Sequence, residues 1–262
     1  FAKRMRDLAS TPAATTPSVA PPAAPAPAGE TERVALSGVR RVIAQRLGQA
    51  WATIPHVHHH DKADITELEA MRRAQVEKAA PGEPKLTVTA ILLKVLALLL
   101  KEHRQFNASL DLEAGQLIYK NFIHIGVAVD TPRGLLVPVI RDADRKNALA
   151  LAAELDAAAT RARESRLTPD EMKGSTFTVS NLGGIGGAWF NPIINPPEVA
   201  ILGVARSRLE PVVRPGGAVE ARLLLPLILG YDHRVIDGAD AARFMRDLTA
   251  LLSQPSSMLW KL

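Results

Sequence analysis

Residues 223–238 read LLLPLILGYDHRVIDG and connect two different hydrophobic patterns. Leu223 to Leu229 is a short apolar run of the kind that forms a buried strand. From about Gly238 to Leu252 the apolar residues recur at helical spacing, which predicts a helix. His233 therefore lies where a strand ends and a helix is about to begin. Loops at strand ends build active sites on rigid scaffolds, so this stretch is the first candidate for function.

The imidazole of His233 suits acid–base chemistry. An unperturbed histidine has a pKa of about 6.5, which lets it act as a general base near neutral pH. The alternative is a buried histidine with a structural role, in which case Asp237 only caps the last helix. The residue pattern by itself leaves both interpretations open.

Helices and strands alternate along the rest of the chain, which predicts an α/β fold: one domain with a mixed sheet and flanking helices. Ser37 and Thr168 are predicted to cap helices, the second with Pro169 and Glu171 in a capping-box pattern. The predicted helices cover about 37–52, 66–80, 85–103, 148–166 and 238–252, with a short one after Thr168. The predicted strands cover 55–65, 118–129, 135–140, 176–179, 199–204 and 223–229, with residues 131–134 as a turn.

Composition excludes several classes of function. The chain of 262 residues has no cysteine, so disulfides, thiolate nucleophiles and cysteine-ligated zinc are excluded. The formal net charge is +5, but lysine and arginine are scattered and no aromatic residues interleave with them, so nucleic-acid binding is not expected. The longest apolar run, Leu86 to Leu100, is interrupted by Lys94 and is too short to span a bilayer. No apolar segment follows the basic N-terminus, so we expect neither a signal peptide nor membrane association.

The N-terminal segment is predicted to lack a core of its own. Between Thr11 and Gly29 the chain is almost entirely Ala, Pro, Thr and Ser, with six prolines. Such a segment buries too little apolar surface to repay its ordering entropy, and it is equally well explained as a disordered tail or as a semi-rigid tether. Because the chain starts at Phe1, we expect residues 1–10 to end a preceding domain, residues 11–31 to be a flexible linker, and residues 32–262 to be the folded domain.

Two further groups of residues have the composition of a site. His58 and His60 share one face of a predicted strand and His59 points to the other, so a pair of imidazoles is available for a metal, although no further ligand cluster is evident. His103 and His124 stand alone and are taken as structural. Ser180 ends a β-run and enters the glycine-rich stretch 183–187, where a hydroxyl can donate to an oxyanion; the simpler explanation is a tight turn.

Five separated segments resemble the E2 dihydrolipoamide acyltransferase family of 2-oxo acid dehydrogenase complexes. The segment from Asp232 to Gly238 matches the Asp-His-Arg-x-x-Asp-Gly signature of that family. The other four segments, in chain order, are Ile54–Val57, Gly126–Ile140, Phe177–Gly183 and Asn195–Val204. The resemblance covers about residue 32 to the end, and it implies a chloramphenicol acetyltransferase-like fold that forms a trimeric building block.

The resemblance implies a mechanism in which His233 removes the proton from the thiol of coenzyme A or of dihydrolipoamide. Ser180 is then expected to donate a hydrogen bond to the oxyanion of the tetrahedral intermediate, and Asp237 to support the loop that holds His233. Arg72 and Asp130 are expected to form a supporting ion pair. No metal is required, because thiol and thioester are already reactive, and the lipoyl group is carried on a separate tethered domain.

The resemblance also implies partners and a location. We expect a homotrimer with active sites between subunits, assembled into a 24-mer or 60-mer core that binds E1, E3 and lipoyl domains. The apolar C-terminus, Met258 to Leu262, is expected to dock into a neighbouring trimer. The acetyl-transferring, pyruvate-type bacterial enzymes are the most similar, which implies the bacterial cytoplasm, or the mitochondrial matrix for a eukaryotic chain. Two rivals remain: an inactive scaffold subunit, and a small-molecule O-acetyltransferase of the same fold.

Overall fold

The computed structural model describes residues 31–132 and 134–260, without the side chains of 258–260. By its contacts the chain divides into two units, residues 1–36 and residues 37–262. The expected domain stub and most of the linker lie outside the described residues. The expected contact of Met258 to Leu262 also lies outside the described residues. The described part of the chain ends in a 3₁₀ helix, Pro255–Trp260, whose last three residues are described as backbone alone.

The five predicted long helices are confirmed, with ends that differ by a few residues. Ser37 caps the first helix, because its hydroxyl oxygen accepts from the amide of Arg40 at 3.2 Å. The capping box also forms, with the amide of Thr168 donating to the carboxylate of Glu171 at 2.9 Å, but it opens only a 3₁₀ helix, Pro169–Met172. The helices are α1 Gly38–Thr53, α2 Thr66–Lys78, α3 Val88–Glu102, α4 Ala148–Arg163 and α5 Gly238–Ser253.

The strands form a mixed sheet, as predicted. In order along the chain they are β1 His56–Asp64, β2 Ala108–Asp111, β3 Gln116–Tyr119, β4 Ile125–Thr131, β5 Gly134–Leu136, β6 Val139–Ile140, β7 Phe177–Asn181, β8 Ala200–Val204, β9 Arg208–Val213 and β10 Val219–Asp232. In space the main sheet runs β1-β10-β8-β7-β4-β5, with β6 on β4 and β9 on β10. β7 is parallel to β4 and β8, while β10 is antiparallel to its neighbours.

The predicted strand 118–129 is wrong, because the structure divides it into β3 and β4. The side-chain amide of Asn107 donates to the carbonyls of Lys120 and Phe122, each at 2.9 Å. These bonds turn the chain between the two strands. β3 then pairs with β2, a strand that the sequence did not predict.

The turn predicted at 131–134 is confirmed as the hairpin between β4 and β5. The hydroxyl of Thr131 donates to the carbonyl of Gly134 at 2.6 Å. Gly134 has φ +113°, a conformation that side chains rarely adopt, so glycine is needed here.

The core lies between one face of the sheet and the helices α3 and α5. α3 is apolar nearly all round and is buried along most of its length. Phe244 of α5 stacks on Phe106 with ring centroids 4.4 Å apart and lies 6.3 Å from Phe177 of β7. Because each fully buried side chain of this kind stabilises the fold by about 1.5–3 kcal/mol, this contact anchors α5 and the loop that precedes it. Among the described residues, none of the helices has the length and apolar character that crossing a membrane requires.

Candidate active site

His233 lies immediately after β10, on a turn that its neighbours hold in place. The amide of His233 donates to the carbonyl of Pro55 at 3.2 Å, and its imidazole is exposed to solvent. Asp232 is 2% exposed, and its carboxylate accepts from the amide and the guanidinium of Arg234. A buried carboxylate whose partner is fixed in this way is costly to disrupt, so the turn presents the imidazole in a defined place.

The start of α5 lies next to this turn. Asp237 is the N-cap residue of α5, but its side chain makes no capping hydrogen bond. Burial raises the pKa of Tyr231, and the nearby carboxylate of Asp237 raises it further. The ring of Tyr231 is 5.8 Å from that of His233. The carboxylate of Asp237 thus acts on Tyr231, and its predicted support of the loop that holds His233 stays a prediction.

Ser180 is on β7, one residue before the strand ends. Strand alternation puts Thr178 and Ser180 on one face, opposite to the buried Phe177 and Val179. Its neighbour across the sheet on β8 is Gly203. A Cβ at Gly203 would lie 2.9 Å from the ring of Phe190, so the missing side chain is what lets that ring pack against β8 at Gly203.

Substituting Gly203 by alanine should therefore destabilise the protein by about 1–3 kcal/mol, because the new methyl group overpacks against the Phe190 ring. Urea unfolding measures this loss as a lower midpoint. Gly184→Ala is the matched control, since no atom lies within 4 Å of a Cβ built there. Equal midpoints for the two variants would show that the Phe190 ring yields without cost.

The glycine-rich segment after β7 is held as a turn by Asn181, a residue that sequence reasoning did not single out. Its carbonyl oxygen Oδ1 accepts from the amide of Gly183 at 2.8 Å, and its Nδ2 donates to the hydroxyl of Thr89. Arg206 donates to the carbonyls of Gly183 and Gly184 at 3.0 Å each. The only sequence signal was an asparagine followed two residues later by glycine, which is common in turns.

Ser180 and His233 of one chain are far apart. Through the registers of β7 with β8 and of β8 with β10, Ser180 is level with Ile228, five residues before His233. Two strand spacings across the sheet and five residues along it separate their Cα atoms by roughly 20 Å. A base and an oxyanion donor must each approach within about 3 Å of one thioester, so these two side chains of the same chain do not serve one site.

The remaining predicted site residues have other partners. Arg72 does not pair with Asp130: its guanidinium binds both carboxylate oxygens of Glu69, one turn away on α2, and the carbonyl of Leu86. The hydrogen bond from Arg72 holds the pKa of Glu69 at about 2. The predicted ion pair is therefore wrong. The local pair wins because positions i and i+3 of a helix are neighbours, whereas Asp130 is on β4.

The histidines of β1 contact the segment that follows the glycine-rich loop. His58 is close to the carbonyl of Pro192 at 2.9 Å, and His60 to the side-chain oxygen of Asn191 at 3.1 Å. His56 accepts from the amide of Ile194 at 3.1 Å. Burial lowers the pKa of His58. Within residues 31–132 and 134–257 there is no group of three or more metal-ligating side chains.

Glu198 is a buried acid that sequence reasoning recorded only as part of a motif. Its carboxylate oxygen Oε1 accepts from the hydroxyls of Ser175 and Thr178 and from the side-chain amide of Asn195. Burial raises its pKa to about 7, against these donors and the charge of Lys120. The only available signal was a glutamate directly before a buried strand.

Comparison with known proteins identifies the family of the chain. Residues 28–260 match the family model for 2-oxoacid dehydrogenases acyltransferase (catalytic domain). The dihydrolipoyllysine-residue acetyltransferase component of the pyruvate dehydrogenase complex of Pseudomonas aeruginosa is 52% identical over 231 residues, which are 88% of this chain and 42% of that protein. The component of the same name from Bacillus subtilis is 43% identical over 91% of this chain and 54% of that protein. The chain thus spans about half, or less, of the length of these relatives.

Solved structures agree with the sequence comparison. A structure from a study of a serine, a histidine and an asparagine in the catalytic mechanism of Azotobacter vinelandii dihydrolipoamide acetyltransferase is 50% identical, with a TM-score of 0.86 over 92% of this chain and 100% of that one. A structure of the cubic core of the pyruvate dehydrogenase multienzyme complex is 49% identical, with a TM-score of 0.87 over the same shares. The mixed α/β fold predicted from the sequence is confirmed.

Proposed function

This chain belongs to the 2-oxoacid dehydrogenase acyltransferase (catalytic domain) family, and on that premise we propose that it transfers an acetyl group between dihydrolipoamide and coenzyme A. The observation that carries the proposal is the exposed imidazole of His233, on a turn held by the ion pair of Asp232 and Arg234. The choice of acetyl over other acyl groups is supported by the names of the relatives, which are acetyltransferases.

In the proposed reaction the imidazole of His233 takes the proton from the attacking thiol. The thiolate sulfur bonds to the carbonyl carbon of the thioester, whose oxygen becomes an oxyanion that receives a hydrogen bond from the hydroxyl of Ser180. The intermediate collapses when the bond from carbon to the second sulfur breaks. The imidazolium of His233 returns its proton to that sulfur, so the enzyme ends the cycle unchanged.

The proposed site is completed by a second copy of the chain. Since Ser180 and His233 of one chain are roughly 20 Å apart, His233 of one subunit meets Ser180 of its neighbour in a closed ring of subunits. We take the ring to be a trimer. The similarity to a cubic core supports assembly of the trimers into the 24-mer rather than the 60-mer.

The proposed third residue differs from that of the Azotobacter enzyme in one respect. The study of that enzyme names an asparagine beside the serine and histidine, whereas the third residue here is Asp237. An aspartate at this place brings a carboxylate where the Azotobacter enzyme has a neutral amide, and we assign it the role of supporting the loop that holds His233.

The wider partners follow from the same proposal. A core of this kind receives acetyl groups from lipoyl domains on tethers and works with the E1 and E3 enzymes of the complex. The relatives named above are bacterial proteins, which supports the bacterial cytoplasm as its place of work. The proline-rich N-terminal segment has the composition of such a tether.

The test is the rate of acetyl transfer from acetyl-CoA to dihydrolipoamide, followed through the appearance of free coenzyme A. We expect saturable turnover with dihydrolipoamide and much lower turnover with chloramphenicol as acceptor. Turnover with chloramphenicol alone would instead show a small-molecule O-acetyltransferase. An assembled protein that transfers to neither acceptor would be a scaffold.

A further inference from the structure

The carboxyl group of Glu198 joins two parts of the sheet that are distant in sequence. Its side chain is buried, and a single oxygen, Oε1, receives donors from Ser175 before β7, from Thr178 within β7 and from Asn195 before β8. The second oxygen, Oε2, is buried with no hydrogen-bond partner among the described residues. Burying a carboxyl in this way is costly, so an explanation is needed for its presence.

One end of this connection leads to Ser180. Thr178 donates to Glu198 at 2.9 Å and lies two residues before Ser180, on the same face of β7. A cavity or a shift at Glu198 would release the hydroxyl of Thr178. Because β7 is a rigid element, the release would move the hydroxyl of Ser180 with it.

The other end leads to His233. The residue after Glu198 is Val199, whose carbonyl accepts from the amide of Asp232 at 2.9 Å. Asp232 in turn receives the guanidinium of Arg234, and His233 lies between these two residues. The backbone at Glu198 is therefore one hydrogen bond away from the turn that presents the candidate base.

We infer that Glu198 is a positioning residue. Three donors to its one buried oxygen hold the strand of Ser180, and the backbone directly after it holds the turn of His233. The inference rests on the proposed function. Glu198 touches neither reacting group in the structure. If the sites form between subunits, each Glu198 orients the serine of one site and the histidine of the next.

The acceptor oxygen, rather than the negative charge, is what this role requires. Glutamine keeps Oε1 as an acceptor for the same three donors and puts an amide nitrogen where Oε2 has no partner. Burial raises the pKa of Glu198 to about 7 and so favours the neutral form of the carboxyl group, which glutamine resembles. Alanine removes the acceptor and leaves three donors facing a cavity.

The test compares Glu198→Ala and Glu198→Gln in acetyl transfer, with the assembled protein at pH 7. We expect alanine to lower kcat by about 10- to 100-fold with KM changed less than about twofold, since misplacing catalytic groups by a fraction of an ångström is costly while distant substrate contacts remain. Glutamine should restore kcat to within about threefold of the unchanged protein. An unchanged kcat in the alanine variant, or a glutamine variant as slow as alanine, would overturn the inference.

Thr176→Val is the control for loss of a buried polar contact at the start of the same strand. Thr176 is fully buried, but its hydroxyl donates to the carbonyl of His124, away from Glu198. The kcat of the Thr176→Val variant should stay unchanged even if its stability falls.

A second variant is used if Glu198→Ala does not assemble. Thr178→Val removes one donor to the same oxygen, and its kcat should fall at least about threefold; an unchanged kcat contradicts the inference.

Amide hydrogen exchange provides a readout that does not depend on activity. In Glu198→Ala the amides of 177–181 and of 231–236 should both exchange faster, whereas Thr176→Val should leave 231–236 unchanged. If the unchanged protein shows no acetyl transfer, the proposed function fails, and exchange still decides this inference. Faster exchange in only one of the two segments would show that Glu198 does not connect them.

Discussion

Replacing His233 by alanine is expected to lower kcat for acetyl transfer by about 10²–10⁴-fold, because the thiol then loses the base that takes its proton. KM for both substrates should change little, since the imidazole is exposed on a turn whose shape depends on the neighbouring ion pair. The measurement is steady-state transfer from acetyl-CoA to dihydrolipoamide, with sedimentation to confirm that the assembly is intact.

The control for this variant is His59→Ala. His59 lies on β1, half-buried, and is not placed in the proposed site. It should keep the activity of the unchanged protein. If His233→Ala were as active as His59→Ala, His233 would be a structural residue. The rate of the His233→Ala variant should also rise as the pH approaches the pKa of the substrate thiol, because only the thiolate already present in solution can attack.

Replacing Ser180 by alanine is expected to lower kcat by about 10²–10³-fold, the usual cost of losing one donor to an oxyanion. The more informative experiment mixes the two variants. Because Ser180 and His233 of one chain are roughly 20 Å apart, the proposed site takes one residue from each of two subunits. Co-expressed Ser180→Ala and His233→Ala chains should then regain activity, in about one quarter of the sites if the chains assemble at random.

The matched control replaces the first chain by one that carries both substitutions. Co-expressed with His233→Ala, this double variant cannot form a site with both residues intact, so activity should stay at the level of the single variants. Recovery in the first mixture and not in the second establishes shared sites. No recovery in a well-assembled mixture would mean that both residues of one site come from the same chain. The sheet register argues against that, because it separates the two residues by roughly 20 Å.

Local patterns were sufficient where neighbouring residues along the chain make the structure. The caps at Ser37 and Thr168, the five long helices and the hairpin at Gly134 depend on contacts within a few residues, and the structure has them. His233 was singled out for the same reason. A strand followed by a helix can be recognised from its periodicity, and the loop between them is then known without the rest of the fold.

Patterns failed where a partner comes from elsewhere in the chain. The strand expected over 118–129 is divided where the side chain of Asn107 binds the backbone. Arg72 forms its ion pair with Glu69 and not with Asp130. β9 was missed because it exists through pairing with the first part of β10 rather than through its own alternation. In each case several contacts are possible, and the sequence does not show which of them is the most stable.

The sequence by itself determined the five long helices, four of the ten described strands (β1, β7, β8 and β10), the family and the candidate base, because periodicity, capping and motif spacing are local properties. Only the tertiary structure decided that Ser180 and His233 of one chain stand apart, that Gly203 makes room for Phe190, and that Glu198 is buried among three donors. These features depend on sheet register and on burial. Both arise when segments distant in sequence pack together. Hydrophobic burial drives that packing, and because it is not directional, a local sequence pattern does not specify which segments will meet.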